Sequence, residues 1–323
     1  MPRSASRSAL RALGLVVGIS LLLTACAGRP SPTTDPSGSS PSPGSVATTG
    51  TAIPVVAAEN VYGDLLTQIC GARCAVTSIL RDPNADPHEY ESSAQDAVAV
   101  ANARLVIENG LGYDAFMARL LSASPDPRRR VLDVQTLVGA AAGANPHLWY
   151  DTGTMAKVAQ AAAADLASLD PAHAQQYQAA ERRFLASLQA VTAEVASIRR
   201  AYPRVPVAYT EPVFGYMGRA LGLDVLTPQS FQRAIEDGND PSAPDMATEQ
   251  ELLQRHQVRV LIYNLQTVTP LTTGLVQLAR SDGIPTVGVT ETEPPGQTYR
   301  QWTLNKRGAL RDALAGGAAA GGH

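Results

Sequence analysis

Four side chains stand out as potential ligands for a single divalent metal ion: His88, His147, Glu211 and Glu291. The chain has five histidines, and two of them occupy the same place in a near-repeated hexapeptide, ADPHEY at 85–90 and ANPHLW at 144–149. In each copy Asp or Asn precedes a proline, the proline precedes the histidine, and an aromatic follows two places on. Pro87 and Pro146 fix φ and should stiffen the turn that presents the ring. Tyr90 and Trp149 are expected to pack behind the imidazoles, and Asp86, Asn145 and Asp151 to accept the second ring N–H and orient it. The other histidines lack that context: His173 opens a helical stretch, His256 sits in the polar QRHQ, and His323 ends a glycine-alanine tail. Two neutral imidazoles and two carboxylates cancel the charge of a divalent cation, so the group can be buried around one. Without the cation the carboxylates should repel and hold the site open to water. Glu293, two residues beyond Glu291, is an alternative fourth ligand. Asp224, in LGLD, reads as a loop residue.

These positions lie at or just beyond strand ends. VPVAYT (205–210) runs into Glu211 and PTVGVT (285–290) into Glu291, while ADPHEY follows AVTSIL (75–80) and ANPHLW follows a loop after VLDV (131–134). IPVVAA (53–58), RLVIEN (104–109) and VRVLIYN (258–264) complete the strand candidates, with helical patterns at 60–69, 93–102, 212–221, 247–256 and 270–281. Such alternation predicts parallel sheets of α/β type, whose ligands bind at the carboxyl ends of the strands. Residues 171–202 break the rhythm, with no glycine and no proline after Pro171, a residue that suits a first helical turn. Phe184, Leu185, Leu188, Val191, Val195 and Ile198 recur mostly three or four apart, giving an apolar stripe. A helix of that length spans roughly 45 Å, more than one small domain is wide, and reads as a strut. The expected fold is therefore two α/β lobes, each a mainly parallel β-sheet flanked by helices, joined by one long backbone helix. The N-terminal lobe spans 53–168, the linking helix 169–203, the C-terminal lobe 204–316, and a flexible tail 317–323.

The ends of the chain bear on where it works. Arg3, Arg7 and Arg11, the apolar run ALGLVVGISLL and then LTAC read as a lipoprotein signal peptide over 1–25, with Cys26 as the lipidated residue. Residues 26–52 are rich in Pro, Ser, Gly and Thr and almost free of large apolar side chains, so they read as a disordered tether. That places the protein on the outer face of the cell membrane. Outside the cytoplasm Cys70 and Cys74, in CGARC, are expected to form a disulfide. The formal net charge is −3, with no basic run, which argues against nucleic acid as a partner.

Taken together, NADPHEYESSAQD, ARLVIENGLGYD, NPHLWYD and TEPVFGYMGRALGL, with a late strand ending in an acid, are similar to motifs of the metal-binding lipoproteins, solute-binding protein family 9, that feed bacterial ABC importers of manganese and zinc. The resemblance runs from about residue 53 to 316. It implies a monomeric two-lobed protein with metal held between the lobes, His88, His147 and Glu211 among the ligands, and an ABC permease with its ATPase as partners. Zinc members commonly carry a third histidine where this chain has Glu211, and often a His-rich loop before the second histidine; here SASPDPRRRVLDVQTLVGAAAGA has none. Manganese members usually have Glu third and Asp fourth, where Glu291 stands here. Oxygen-rich sites suit manganese, so Mn²⁺ is the expected cargo, Zn²⁺ the next and Fe²⁺ the third. An exported zinc metallohydrolase is disfavoured because Ser92 stands where an HExxH helix starting at His88 needs its second histidine. A surface adhesin, a role some members of the family have, would not need the four ligands.

Overall fold

The computed structural model describes residues 51–84 and 86–320, with backbone alone for 317–320. The signal segment, Cys26, most of the tether and His323 lie outside the described residues. Among the described residues no helix is long and apolar enough to cross a membrane.

Two four-stranded sheets form the two lobes. The first contains β1 (Ile53–Glu59), β2 (Cys74–Leu80), β3 (Leu105–Glu108) and β4 (Arg130–Asp133) in the order β2-β1-β3-β4. The second contains β5 (Pro206–Tyr209), β6 (Asp224–Val225), β7 (Leu261–Asn264) and β8 (Thr286–Val289) in the order β6-β5-β7-β8. Every pairing is parallel, with Val55 opposite both Val76 and Leu105, and Ile262 opposite Val287. Asp224 is thus not a loop residue: it pairs with Pro206 in a two-residue edge strand, too short to leave a periodic signal.

The helices are α1 (Asn60–Cys70), α2 (Ala94–Asn102), α3 (Ala115–Ala123), α4 (Val134–Val138), α5 (Thr152–Leu169), α6 (Ala174–Ala201), α7 (Gly215–Leu221), α8 (Gln229–Glu236), α9 (Ala243–Gln254), α10 (Pro270–Ser281) and α11 (Tyr299–Ala320). Helix α6 is the strut, 28 residues long and so about 42 Å. It buries Tyr177, Ala180, Phe184, Leu188, Val191 and Ile198, packing on α1 and α5 of the first lobe and on α7 and α11 beyond it. Leu185 and Val195, expected in the stripe, flank it half-buried. Helix α5 buries Met155, Val158, Ala159, Ala162, Ala163 and Leu166. Its apolar face is mostly alanine, which keeps a helix well but marks no strong hydrophobic period. One apolar core runs through both lobes, with Trp149, Tyr150, Phe214, Tyr299 and Trp302 where they meet, and a second, smaller one around Phe231, Leu253, Leu261 and Leu275 lies within the second lobe. Cys70 and Cys74 form a disulfide across the turn from α1 into β2.

In both sheets the chain leaves the first strand toward one edge and returns to the other side of it. The reversal point therefore lies between the first and third strands, and the crevice at their carboxyl ends is the place such sheets bind ligands. Asn60 and Asn109 occupy it in the first lobe, directly after β1 and β3; Glu211 and Asn264 occupy it in the second, at the ends of β5 and β7.

Candidate metal centre

The repeated hexapeptide is one local structure used twice. Asp86 Oδ1 accepts the backbone N–H of His88 at 2.9 Å, and Asn145 Oδ1 that of His147 at 2.9 Å. A short side-chain acceptor two residues before the histidine folds the chain into an Asx turn, and the proline between them holds φ. A single 3₁₀ turn accompanies each copy, Pro87–Glu89 holding His88 within it and Leu148–Tyr150 starting just after His147.

Those turns bring His88 and His147 together with Glu291, one ligand atom from each lying within 4.8 Å of the others. The two Nε2 atoms face the same carboxylate oxygen, Glu291 Oε2, at 3.4 Å from His88 and 3.1 Å from His147. Asn145 Oδ1 also lies 2.8 Å from His147 Nδ1. Because the His147 backbone N–H identifies that atom as an acceptor, Nδ1 carries a hydrogen, which leaves Nε2 as the ring atom that faces Glu291. The Trp149 ring stands edge-on to His147 at 5.4 Å.

Glu211 lies outside this close trio and joins it through Asn264. The Asn264 amide donates to Glu211 Oε2 at 2.8 Å and to Glu291 Oε1 at 2.6 Å, holding the two carboxylates side by side. Glu211 Oε1 is buried with no hydrogen-bond partner, an expensive state for a polar oxygen that a cation between Glu211 and the trio would relieve. The four groups and their burial suit a divalent ion with mixed nitrogen and oxygen ligation.

The two carboxylates repel as expected from sequence, and the imidazoles beside them decide which one carries the charge. Burial alone would push Glu291 up, but the His147 and His88 rings outweigh it and hold this carboxyl well below the usual range. Burial would lower His88, yet Glu291 overrides that and raises it to about 9. Burial, then the charge of Glu291, pushes Glu211 up to about 8. Near neutral pH these shifts favour a proton on His88, a negative Glu291 and a protonated Glu211.

Three residues expected near the imidazoles serve elsewhere. Asp151 caps α5, its Oδ2 accepting from the backbone N–H and the hydroxyl of Thr154, so it is spent before it can reach a ring. Tyr90 packs on Phe116 and donates to Asp96, which closes the capping box of α2, drawing its ring away from His88. The Glu293 side chain does not join the cluster; burial and then Asp64 raise it to about 9, against α1. Strand β8 ends at Val289, so neither glutamate lies in it, and the period-two rule that would put both on one face no longer applies.

Tyr113, Asn264 and Glu236 also belong to the site. Tyr113 donates to Glu291 Oε2 at 2.9 Å, with its ring against both His88 and His147. It is aimed there by the NGLG turn, where Gly110, Leu111 and Gly112 all take positive φ, a cue legible as two glycines directly after a strand. Asn264 ends a strand just as Glu211 follows one, so the strand-end rule could have found it. Glu236, the last residue of α8, has a buried oxygen 3.6 Å from His147 Nδ1; nothing in its local sequence marks it. A cleft of about 800 Å³, lined in part by His88, Tyr113, Asn145, Arg233 and Glu236, opens onto the site. The His88 side chain is 24% exposed whereas those of His147 and Glu291 are fully buried, so the way in passes His88.

The loop carrying His147 is tied to the second lobe, since Asn145 Nδ2 donates to Pro212 O at 2.6 Å and Tyr216 to Asn145 O at 2.9 Å. Gly215 makes this approach possible: a Cβ there would sit 2.7 Å from Asn145 Nδ2. Gly215→Ala should therefore tip Asn145 off the His147 ring and weaken metal binding about tenfold, although alanine is the better helix former. Calorimetric titration beside a thermal melt checks this, with weaker binding at an unchanged or higher melting temperature as the expected result.

A family model described as zinc-uptake complex component A, periplasmic (ZnuA), matches residues 55–313. The manganese-binding lipoprotein MntA of Halalkalibacterium halodurans is 29% identical over 184 residues, 55% of this chain and 60% of that protein. The zinc-binding protein TroA of Treponema pallidum is 30% identical over 177 residues, 52% of this chain and 56% of that protein. The alignments thus span somewhat more than half the length of these two relatives. The solved structure of TroA superposes with a TM-score of 0.70 at 21% identity, covering 81% of this chain and 99% of that one, a likeness of fold.

Proposed function

As the chain belongs to the ZnuA family of periplasmic zinc-uptake components, we propose that it is a binding protein, not an enzyme, that captures a divalent transition metal outside the cytoplasm and delivers it to an ABC permease. The observation that carries this reading is the set of His88, His147 and Glu291 within 4.8 Å, beside a buried Glu211 oxygen that has no partner. The ion enters past His88, displaces the protons on His88 and Glu211, and takes both imidazoles and both carboxylates as ligands. The permease receives it, and an ATPase on the cytoplasmic side supplies the energy. A lipid on Cys26 holds the monomeric protein at the outer face of the membrane, on the tether formed by residues 26–52.

We place Mn²⁺ first as cargo, Zn²⁺ second and Fe²⁺ third. Two carboxylates, each able to bind through one or both oxygens, give the hard ligation that manganese accepts, although the same ligands hold zinc more tightly in simple competition. The named relatives divide along the same line, one described as manganese-binding and one as zinc-binding. Elemental analysis of protein purified without chelator, followed by Mn²⁺, Zn²⁺ and Fe²⁺ titrations, tests the reading; absence of binding to all three would end it. Glu211→His should shift preference toward Zn²⁺, because it exchanges an oxygen ligand for a third imidazole. The ratio of zinc to manganese dissociation constants before and after the substitution measures this, and an unchanged ratio removes Glu211 from the ligand set.

A further inference from the structure

Glu291 belongs by chain to the second lobe, yet its loop is fastened to the first. The side-chain amide of Asn60, the residue that opens α1 at the end of β1, pairs with the backbone of Glu293 in both directions. Nδ2 donates to Glu293 O at 2.7 Å, and Oδ1 accepts from Glu293 N at 2.9 Å. On the other side of Glu291, Tyr150 donates to Thr290 O at 2.7 Å. From its own lobe the loop receives Gln266 Oε1, which accepts from the Glu291 and Thr292 N–H groups at 2.6 and 3.2 Å. Glu291 is 1% exposed and Glu293 4%, so backbone groups released there find little water to replace a lost partner. Asn offers a donor and an acceptor at one reach: Asp lacks the donor, Gln is a methylene longer, and Ala supplies neither.

We propose that Asn60 is a positioning residue for Glu291: by holding the backbone two residues further on, it sets the Glu291 carboxylate against the two imidazoles from the opposite lobe, without touching the metal. This rests on the metal-capture reading and adds to it that the lobes exchange supports, the first holding the Glu291 loop while the second holds the His147 loop through Pro212 and Tyr216. A residue 231 positions before Glu291 thereby becomes part of the same site.

The test is a double-mutant cycle on the full chain, with Asn60→Ala, Glu291→Gln and the pair, read by Mn²⁺ and Zn²⁺ titration. Asn60→Ala should weaken binding about tenfold in the wild-type background and by less than about twofold when Glu291 is already Gln, because its effect passes through that carboxylate. Asn60→Asp, which keeps the acceptor and loses the donor, should fall between wild type and Asn60→Ala. Hydrogen exchange of the Glu291–Glu293 amides in metal-free protein reads the clasp itself and should quicken in Asn60→Ala. Equal losses in both backgrounds, or unchanged exchange, would overturn the proposal. Wild-type protein that binds none of the three metals would instead overturn the capture reading, and the exchange result would still say whether the clasp exists.

Discussion

Glu291→Gln should weaken binding of Mn²⁺ and Zn²⁺ by at least about 100-fold, among the largest losses expected from any single substitution here. Substitutions one shell away from a metal commonly cost ten- to a hundredfold, and Glu291 is the group on which both imidazoles converge. The amide removes the charge while nearly keeping the shape. Its nitrogen can only donate, so whichever place it takes, that of Oε2 before Tyr113 and the protonated His88 or that of Oε1 before Asn264, a donor comes to face donors. Because Glu291 is what raises His88 to about 9, His88 in the variant should titrate closer to an ordinary histidine. Calorimetry gives the affinity, and NMR titration of the metal-free variant gives the His88 shift. Unchanged affinity would remove Glu291 from the centre; His147→Ala, which deletes the fully buried imidazole, should fall in the same range.

The second large effect is proton linkage. A metal ligand must be neutral imidazole or ionised carboxylate, but the metal-free site holds one proton on His88 up to about pH 9 and another on Glu211 up to about pH 8. Protons therefore compete with the metal, and affinity falls as pH falls. Below about pH 8 both must leave, so affinity should change by up to about 100-fold per pH unit; between about 8 and 9 only His88 is left, and the slope drops to about tenfold. Calorimetry in buffers of different ionisation enthalpy should show roughly two protons released per metal near pH 7. His88→Ala should remove one of them, at the cost of one ligand. Affinity independent of pH between 6 and 9, with no proton release, would contradict the charge state assigned to the empty site.

The same groups explain what could be read from the sequence. The Asx-Pro-His repeat is a local structure, closed by bonds between residues two apart, so its six letters carry nearly all the information needed to build it. The strands ending at Glu211 and Glu291 are short, β-branched and bounded by turn residues, and the strut has a strong apolar period with no breaker. Helices α5 and α11 were less legible, because alanine and polar residues leave little hydrophobic contrast even where one face is buried.

Asp151 and Tyr90 mark the limit. Each sits at a promising distance from a histidine along the chain, yet each has a nearer partner in space, Thr154 and Asp96, and a side chain satisfies the closest acceptor or donor that its backbone allows. Glu236 and Asn60 were hidden for the opposite reason: their partners, His147 and Glu293, lie far along the chain, Glu293 being 233 residues from Asn60, and no local pattern encodes a contact that only the packing of two lobes creates.

The sequence by itself determined the two Asx-Pro-His turns, the parallel α/β lobes and the long helix between them, since all of these follow from bonds and periodicities within a few residues. Only the tertiary structure decided that Glu291 and not Glu293 meets the imidazoles, that Asn264 couples the carboxylates, and that burial and Glu291 together shift His88 and Glu211 upward. Those outcomes depend on burial and on charges brought together from distant parts of the chain, and the free energy of a buried charge is set by its surroundings in space.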